Sequence, residues 1–216
     1  MKKRKPPLPG MLSAAGALAC VLLLAACPTD GGDPYNPYGP YQTGISDPYE
    51  GKLLILQTYG TGPDTDGAVS HNFVELYNKS EEALDLAGIT LQYADGKEGG
   101  TAPEDPDWKA ISLSGTVPAG HSFLILGKKS NTSGRLQLTD GSGDINDDNF
   151  VMNNHAYKAA LLRTENAVSA ANPFSPKLPG YIDMIGAVNA PDEEDSIDAY
   201  ETGPLEGIKK HGSARR

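Results

Sequence analysis

Short apolar runs of strand length, separated by turn residues, constrain the fold of this 216-residue chain most strongly. Residues 52–59 are largely apolar, and in residues 72–78 the side chains Val74 and Leu76 alternate with Phe73, Glu75 and Tyr77. The chain also contains 25 glycines and 17 prolines, which are frequent in turns and unfavourable inside helices. Many short strands with closely spaced turns predict an all-β protein, and specifically a β-sandwich.

Two later segments need separate treatment because their patterns differ from those of the first strands. Residues 156–171 are rich in good helix formers, yet Tyr157, Ala159 and Leu161 alternate as they would in a strand, so the pattern leaves both structures open. Tyr181–Gly186 follows a proline-rich turn and is predicted to be the last strand.

The first 27 residues have the pattern of an export signal. Basic residues 2–5 precede an apolar stretch, Met11–Ala26, that is shorter than the roughly 20 residues needed to cross a bilayer. The stretch ends in Leu24-Ala25-Ala26-Cys27, which resembles the bacterial lipobox. This resemblance implies removal of residues 1–26 and lipidation of the Cys27 sulfur. We therefore expect a lipoprotein of the bacterial cell envelope, held to the membrane by lipid and located outside the cytoplasm. The alternative is an ordinary signal peptide.

Residues 27–51 are predicted to form a linker between this anchor and the sandwich. They contain four x-Pro-Tyr triplets, centred on Pro34, Pro37, Pro40 and Pro48. Each proline fixes φ and disfavours a helix in the residue before it, so a semi-rigid, polyproline-like spacer is expected. The alternative is an aromatic ligand for a partner or a glycan. Residues 52–216 would then form the folded domain.

Composition argues against several classes of function. The formal charge of −10 and a sequence pI of about 4.8 make nucleic acid an unlikely partner, because phosphate binding needs clustered positive charge. Cys20 and Cys27 are the two cysteines, so the rest of the chain has no disulfide, thiolate nucleophile or cysteine-based zinc site. No nucleophile elbow, P-loop or dinucleotide fingerprint occurs. We expect no enzymatic activity.

One acidic loop could bind a metal ion. Residues 140–149 are dense in hard oxygen ligands, which suit Ca²⁺, and the spacing of Asp144, Asn146 and Asp148 is that of the start of an EF-hand loop. Together with Asp140 these residues are the predicted calcium ligands, although an acidic, turn-rich loop is the simpler interpretation. Glu75 is interpreted as a solvent-facing or ion-paired strand residue, and the separate histidines 71, 121, 155 and 211 as surface residues.

The order of segments resembles the lamin tail domain, an immunoglobulin-like sandwich. The matching segments are Leu53-Leu54-Ile55-Leu56, Phe73-Val74-Glu75-Leu76-Tyr77-Asn78, Asp85-Leu86-Ala87-Gly88-Ile89, Leu113–Gly120, Ala160-Leu161-Leu162 and Ile182–Gly186, with closing pieces at 201–204 and 213–216. The resemblance implies a scaffold without catalytic residues of its own.

These patterns together predict an exported, lipid-anchored surface protein with a non-catalytic binding or scaffold domain. Its partners would be the membrane, through the lipid on Cys27, and a protein or glycan that the sequence does not identify. Two alternatives remain open. The domain could be an accessory module of an extracellular nuclease or hydrolase system. More remotely, the acidic loop could cleave a phosphodiester with a divalent ion.

Overall fold

The fold is taken from a computed structural model, which describes residues 46–61, 67–96, 108–130, 133, 136–170, 172–175, 177–189, 197–209 and 211–216. All of them lie within one compact unit, residues 36–216. Cys27, the lipobox and the first three Pro-Tyr triplets lie outside the described residues. No helix in the described ranges is long and apolar enough to span a membrane.

The described residues form twelve strands and no helix. In chain order they are β1 (Leu53–Tyr59), β2 (His71–Asn78), β3 (Leu84–Asp85), β4 (Ile89–Asp95), β5 (Lys109–Ser112), β6 (Thr116–Val117), β7 (Ser122–Lys129), β8 (Ile145–Asn146), β9 (Ala156–Arg163), β10 (Tyr181–Val188), β11 (Leu205–Glu206) and β12 (Ala214–Arg215). The prediction of an all-β fold is confirmed.

The strands build a two-layer sandwich. The first sheet has the order β12-β1-β2-β7-β8, the second has the order β11-β10-β9-β4-β5, and β3 pairs with β6 in a small separate ladder. Most neighbouring strands are antiparallel; β8 on β7 and β11 on β10 are parallel. The immunoglobulin-like sandwich expected from the sequence is thus what the chain forms.

The main core fills the space between the two sheets. The predicted alternation in β2 is confirmed, because Val74 and Leu76 are fully buried while Phe73, Glu75 and Tyr77 are half-buried on the opposite face. Side chains of β9 and β10 enter the same core from the second sheet, among them Tyr157, Leu161 and Ile185.

The second sheet is also covered on its other face. A second cluster there contains Trp108, Leu162, Val168, Tyr181 and Met184. Because β9 is buried on both faces, its sequence is apolar apart from Lys158 and the terminal Arg163, which explains why periodicity alone left helix and strand open. The structure resolves that alternative: Ala156–Arg163 is a strand.

The prediction that Tyr181–Gly186 is the last strand is wrong. That strand, β10, is followed by two short strands of two residues each, and each of them forms an edge of one sheet. β11 pairs with β10 in the second sheet, and β12 pairs with Gln57 and Thr58 of β1 in the first. Pairings of two residues leave almost no periodic signal in the sequence, so these strands could not be seen in it.

The last Pro-Tyr triplet contacts the sandwich. Asp47 is 7% exposed, and its carboxylate accepts hydrogen bonds from Arg163 Nε at 2.8 Å and Nη2 at 3.2 Å. The Arg163 guanidinium lies over the Tyr49 ring, 4.8 Å from its centroid, and the Tyr49 hydroxyl accepts a hydrogen bond from the backbone N–H of Asp85. The end of the predicted linker is therefore fastened to β9 by an ion pair and a cation–π contact.

A buried carboxylate joins the two sheets. Asp183 of β10 is 3% exposed. Its Oδ2 accepts a hydrogen bond from the backbone N–H of Ile55 in β1 at 2.6 Å, and its Oδ1 accepts one from Arg216 Nη1 at 2.6 Å. Arg216 also donates to the Met184 carbonyl and, at 2.9 Å, to Glu201. Burial raises the pKa of Asp183 to about 6, and this effect outweighs the opposing influence of Arg216.

We expect Arg216→Ala to lower the free energy of unfolding at pH 7 by about 3 kcal/mol, because the buried carboxylate of Asp183 loses its cation. The loss should be smaller at pH 5, where Asp183 is protonated more readily. The double variant Asp183→Asn/Arg216→Ala should recover part of the loss. Urea denaturation at both pH values measures this, and equal losses at pH 5 and pH 7 would contradict the assignment.

The same carboxyl predicts a pH dependence of the wild-type protein. Its pKa is raised from an ordinary value of 3.8 to about 6 on folding, so its protonation contributes stability below pH 4 that is lost as the pH rises through 6. The difference in unfolding free energy between wild type and Asp183→Asn should therefore fall between pH 4 and pH 6.5.

Candidate binding surfaces

The outer face of the first sheet carries an apolar groove with a volume of about 500 Å³. Its floor combines Phe73 of β2 and Leu124 of β7 with Leu136 and Leu138, which follow β7 in the chain. Phe73, Leu124 and Leu138 are half-buried, and Leu136 is 54% exposed. Strand alternation puts Phe73 and Leu124 on this face, since their neighbours Val74, Phe123 and Ile125 fill the core. We call this surface the outer groove.

Two carboxylates stand in the lining of the outer groove. Glu75 lies opposite Leu124 in the pairing of β2 with β7, and its Oε1 accepts a hydrogen bond from the Ser122 hydroxyl at 2.6 Å. Asp144 Oδ2 accepts the backbone N–H of Leu124 at 2.7 Å. The interpretation of Glu75 as an outward-facing strand residue agrees with its position, and its described partner is a hydroxyl. The groove thus combines an apolar floor with negative charge.

The loop that contains Asp144 also covers the edge of the first sheet. Asp144 satisfies the N–H of Leu124, and β8 adds a short parallel pairing at Ile125 and Leu126. An exposed row of backbone donors is a template for adding another strand, so this loop protects β7 from edge-to-edge pairing. Asp144 has this structural role whatever else it binds.

The predicted calcium ligands are divided between two surfaces. Asp140, Asn146 and Asp148 line a second cavity of about 390 Å³ together with His71 and Lys129, whereas Asp144 lines the outer groove. Asp140 pairs with Lys129 at 2.8 Å, and the Asn146 side chain bonds the backbone of Gly143. Within the described part of the chain, no three His, Cys, Asp or Glu side chains are grouped closely enough to hold a metal ion. Calcium binding stays a prediction from the sequence.

A chain of hydrogen bonds that the sequence analysis missed runs through the second cavity. The Ser70 hydroxyl is 2.7 Å from His71 Nδ1, and His71 Nε2 is 3.3 Å from Asp140 Oδ1. Ser70 Oγ also accepts a hydrogen bond from the N–H of Leu138 at 2.9 Å, so the hydroxyl lies between the backbone of the loop and the imidazole of His71. Nothing in the sequence links Asp140 to the adjacent pair Ser70-His71, because the contact depends on the fold.

This chain of contacts fastens the loop 136–148 to β2. The order Ser, His, Asp resembles that of a hydrolytic triad, but Ser70 is fully buried and uses its oxygen to hold the backbone of Leu138. Burial lowers the pKa of His71, although Asp140 opposes this effect. His71 is 3% exposed, so its interpretation as a surface residue is wrong, whereas His121, His155 and His211 are exposed as expected.

The fold and these surfaces define an immunoglobulin-like β-sandwich whose second sheet is enclosed and whose first sheet presents an apolar groove. A family model described as the lamin tail domain matches residues 47–173. The chain belongs to the lamin tail domain family. No curated protein matches the chain. Strands β10, β11 and β12 follow the matched segment and complete both sheets.

We expect acidification to loosen the loop 136–148 through His71. Because the pKa of His71 is lowered on folding from 6.5, the stability that its neutral form contributes is present above pH 6.5 and is lost as the pH falls. The difference in unfolding free energy between wild type and His71→Asn should shrink between pH 7.5 and pH 5.5. His211→Asn, at an exposed position, is the control for removing one imidazole. A difference that does not change with pH would contradict this role.

Proposed function

We propose that this protein is a lipid-anchored lipoprotein of the bacterial envelope and that its lamin tail domain is a non-catalytic binding module. The observation that carries the binding role is the outer groove. An outer sheet face of an isolated sandwich is normally solvated and polar, with the apolar residues directed inward. Here Phe73, Leu124, Leu136 and Leu138 gather in one concave region instead. Concentrated, accessible apolar surface is typical of interaction sites.

The proposed occupant is a basic, amphipathic peptide segment of a protein partner. Apolar side chains of such a segment would pack on Phe73 and Leu124, and its lysine or arginine residues would face Glu75 and Asp144. The overall charge of −10 supports the same choice, because it attracts cationic partners. Face binding is favoured over strand addition, since Asp144 and β8 already occupy the edge of β7.

The anchoring part of the proposal rests on the sequence of the first 27 residues. The basic start, the short apolar stretch and Leu24-Ala25-Ala26-Cys27 have the order that lipoprotein signals require. A lipid on Cys27 would hold the domain at the membrane without a spanning segment. Confinement to a surface raises the effective concentration of the domain near other envelope components, so modest affinity would suffice for binding there.

Metabolic labelling with a radioactive fatty acid tests the anchor. Wild-type protein should incorporate the label and sediment with membranes, whereas Cys27→Ser should do neither, because an oxygen replaces the sulfur that would carry the lipid. Cys20→Ser, which changes the other cysteine of the chain, is the matched control and should label like wild type. An unlabelled wild-type protein would rule out lipidation.

Selection from a library of random displayed peptides tests the binding role. Peptides enriched on the full-length protein in detergent micelles should combine aromatic or aliphatic residues with lysine or arginine. Leu124→Asp should weaken the binding of synthetic versions at least about tenfold, because it places a charge on the apolar floor.

Leu54→Asp is the control for this selection. Leu54 is also half-buried and outward-facing in the first sheet, but it does not line the outer groove. Binding should persist in this variant, provided that its melting temperature shows it to be folded. Enriched peptides that bind wild type and Leu124→Asp equally well would overturn the assignment of the groove.

A further inference from the structure

A second groove, of about 500 Å³, lies at the end of the sandwich where β7 finishes and β5 begins. Three lysines line it: Lys109 at the start of β5, and Lys128 and Lys129 at the end of β7. Because β5 belongs to the second sheet and β7 to the first, the lysines come together only when the sandwich forms. We call this surface the lysine groove.

The charges of the lysine groove are only partly neutralised within the protein. Lys129 pairs with Asp140 at 2.8 Å. Lys109 and Lys128 are exposed and form no ion pair with any described carboxylate, unlike Lys158, Arg163 and Arg216, each of which has at least one. Asp95 is the one carboxylate in the described lining. The described lining of the lysine groove thus contains three lysines and one carboxylate, on a chain whose formal charge is −10.

We propose that the lysine groove binds an acidic polysaccharide, with the lysines facing its carboxylates. The lysine ammonium groups are point charges that attract oxyanions without imposing a planar geometry. Beside them the Ser130 hydroxyl, the Asn153 amide and the Asp95 carboxylate offer the donors and acceptors that sugar hydroxyls need. The volume falls within the roughly 300–1,000 Å³ of ordinary ligand sites. This site is separate from the outer groove and does not depend on its proposed function.

Nucleic acid fits this groove less well than a polysaccharide. Proteins that hold single strands stack the bases on aromatic side chains, and none of the described residues that line the lysine groove is aromatic. A duplex extends a dense line of phosphates well beyond one groove, over a surface that is otherwise acidic. Compared with a duplex, a carboxylated polysaccharide carries fewer charges per unit length, and it presents hydroxyl groups as well as charge.

Titration of the full-length protein in detergent micelles tests the proposal. Fluorescent polygalacturonate is the acidic probe, neutral dextran is the control for hydroxyl groups alone, and oligothymidine is the nucleic-acid probe. At about 20 mM salt the protein should bind polygalacturonate more tightly than either other probe. Affinity should fall at least about tenfold at about 200 mM salt, because exposed charges are then screened.

Substitution assigns the binding to the groove. Lys109→Gln/Lys128→Gln should weaken binding of polygalacturonate at least about tenfold, since the charges without an ion-pair partner are removed and the length of the side chains is nearly kept. Lys79→Gln is the matched control: Lys79 is also exposed, but it lies outside this groove, just after the end of β2. It should bind like wild type. Leu124→Asp should also bind polygalacturonate normally, which separates this site from the outer groove.

Three results would overturn the proposal. The first is equal weakening by Lys79→Gln and the groove variant, which would mean diffuse attraction to surface charge. The second is equal binding of dextran and polygalacturonate, or no binding at low salt, which would show that the lysines attract no carboxylated chain. The third is tighter binding of oligothymidine, which would assign the groove to nucleic acid instead.

Discussion

The contact between Asp183 and the backbone of Ile55 holds the two sheets of this protein in register. Hydrophobic burial between the sheets is strong but non-directional, so alone it fixes neither the offset nor the angle of the layers. The hydrogen bond from a specific N–H on β1 to a carboxylate on β10 adds a directional constraint between the layers. β12 pairs only with Gln57 and Thr58, so it does not reach the N–H of Ile55, and Asp183 satisfies that donor. Arg216 then balances the buried charge and ties the end of the described chain to the same point.

The two sheets differ in how far their outer faces are buried. The second is enclosed by the main core on one side and by the cluster around Trp108 and Met184 on the other, so its central strands have no free face. The first has one face in the core and one that is only half covered. Among the described surfaces, the outer groove lies on the accessible face of the first sheet and the lysine groove lies at one end of the sandwich.

The sequence predicted those parts of the fold whose physical signal is local. In β2 the alternation of Val74 and Leu76 with Phe73, Glu75 and Tyr77 follows directly from one buried and one accessible face. In β9 both faces are buried, and the resulting apolar run has no period that separates strand from helix. The sites were harder still to predict. The contacts of His71 with Asp140, and the meeting of Lys109 with Lys128, join residues far apart in sequence, and only the folded sandwich brings them together.

The contacts of Asp47 and Tyr49 show that the last residues of the predicted linker belong to the folded domain. A passive spacer would end at residue 51, but the two-oxygen ion pair of Asp47 with Arg163 holds residues 47–49 against the sandwich and moves that boundary towards the N-terminus. Arg163 ends β9, which lies at the centre of the second sheet and is buried on both faces, so the segment is attached to the interior of the fold. The outer groove and the lysine groove then keep fixed directions relative to the residue at which the linker leaves the domain. A carboxylate–guanidinium pair and a cation–π contact therefore set the point at which the predicted linker ends and the folded domain begins.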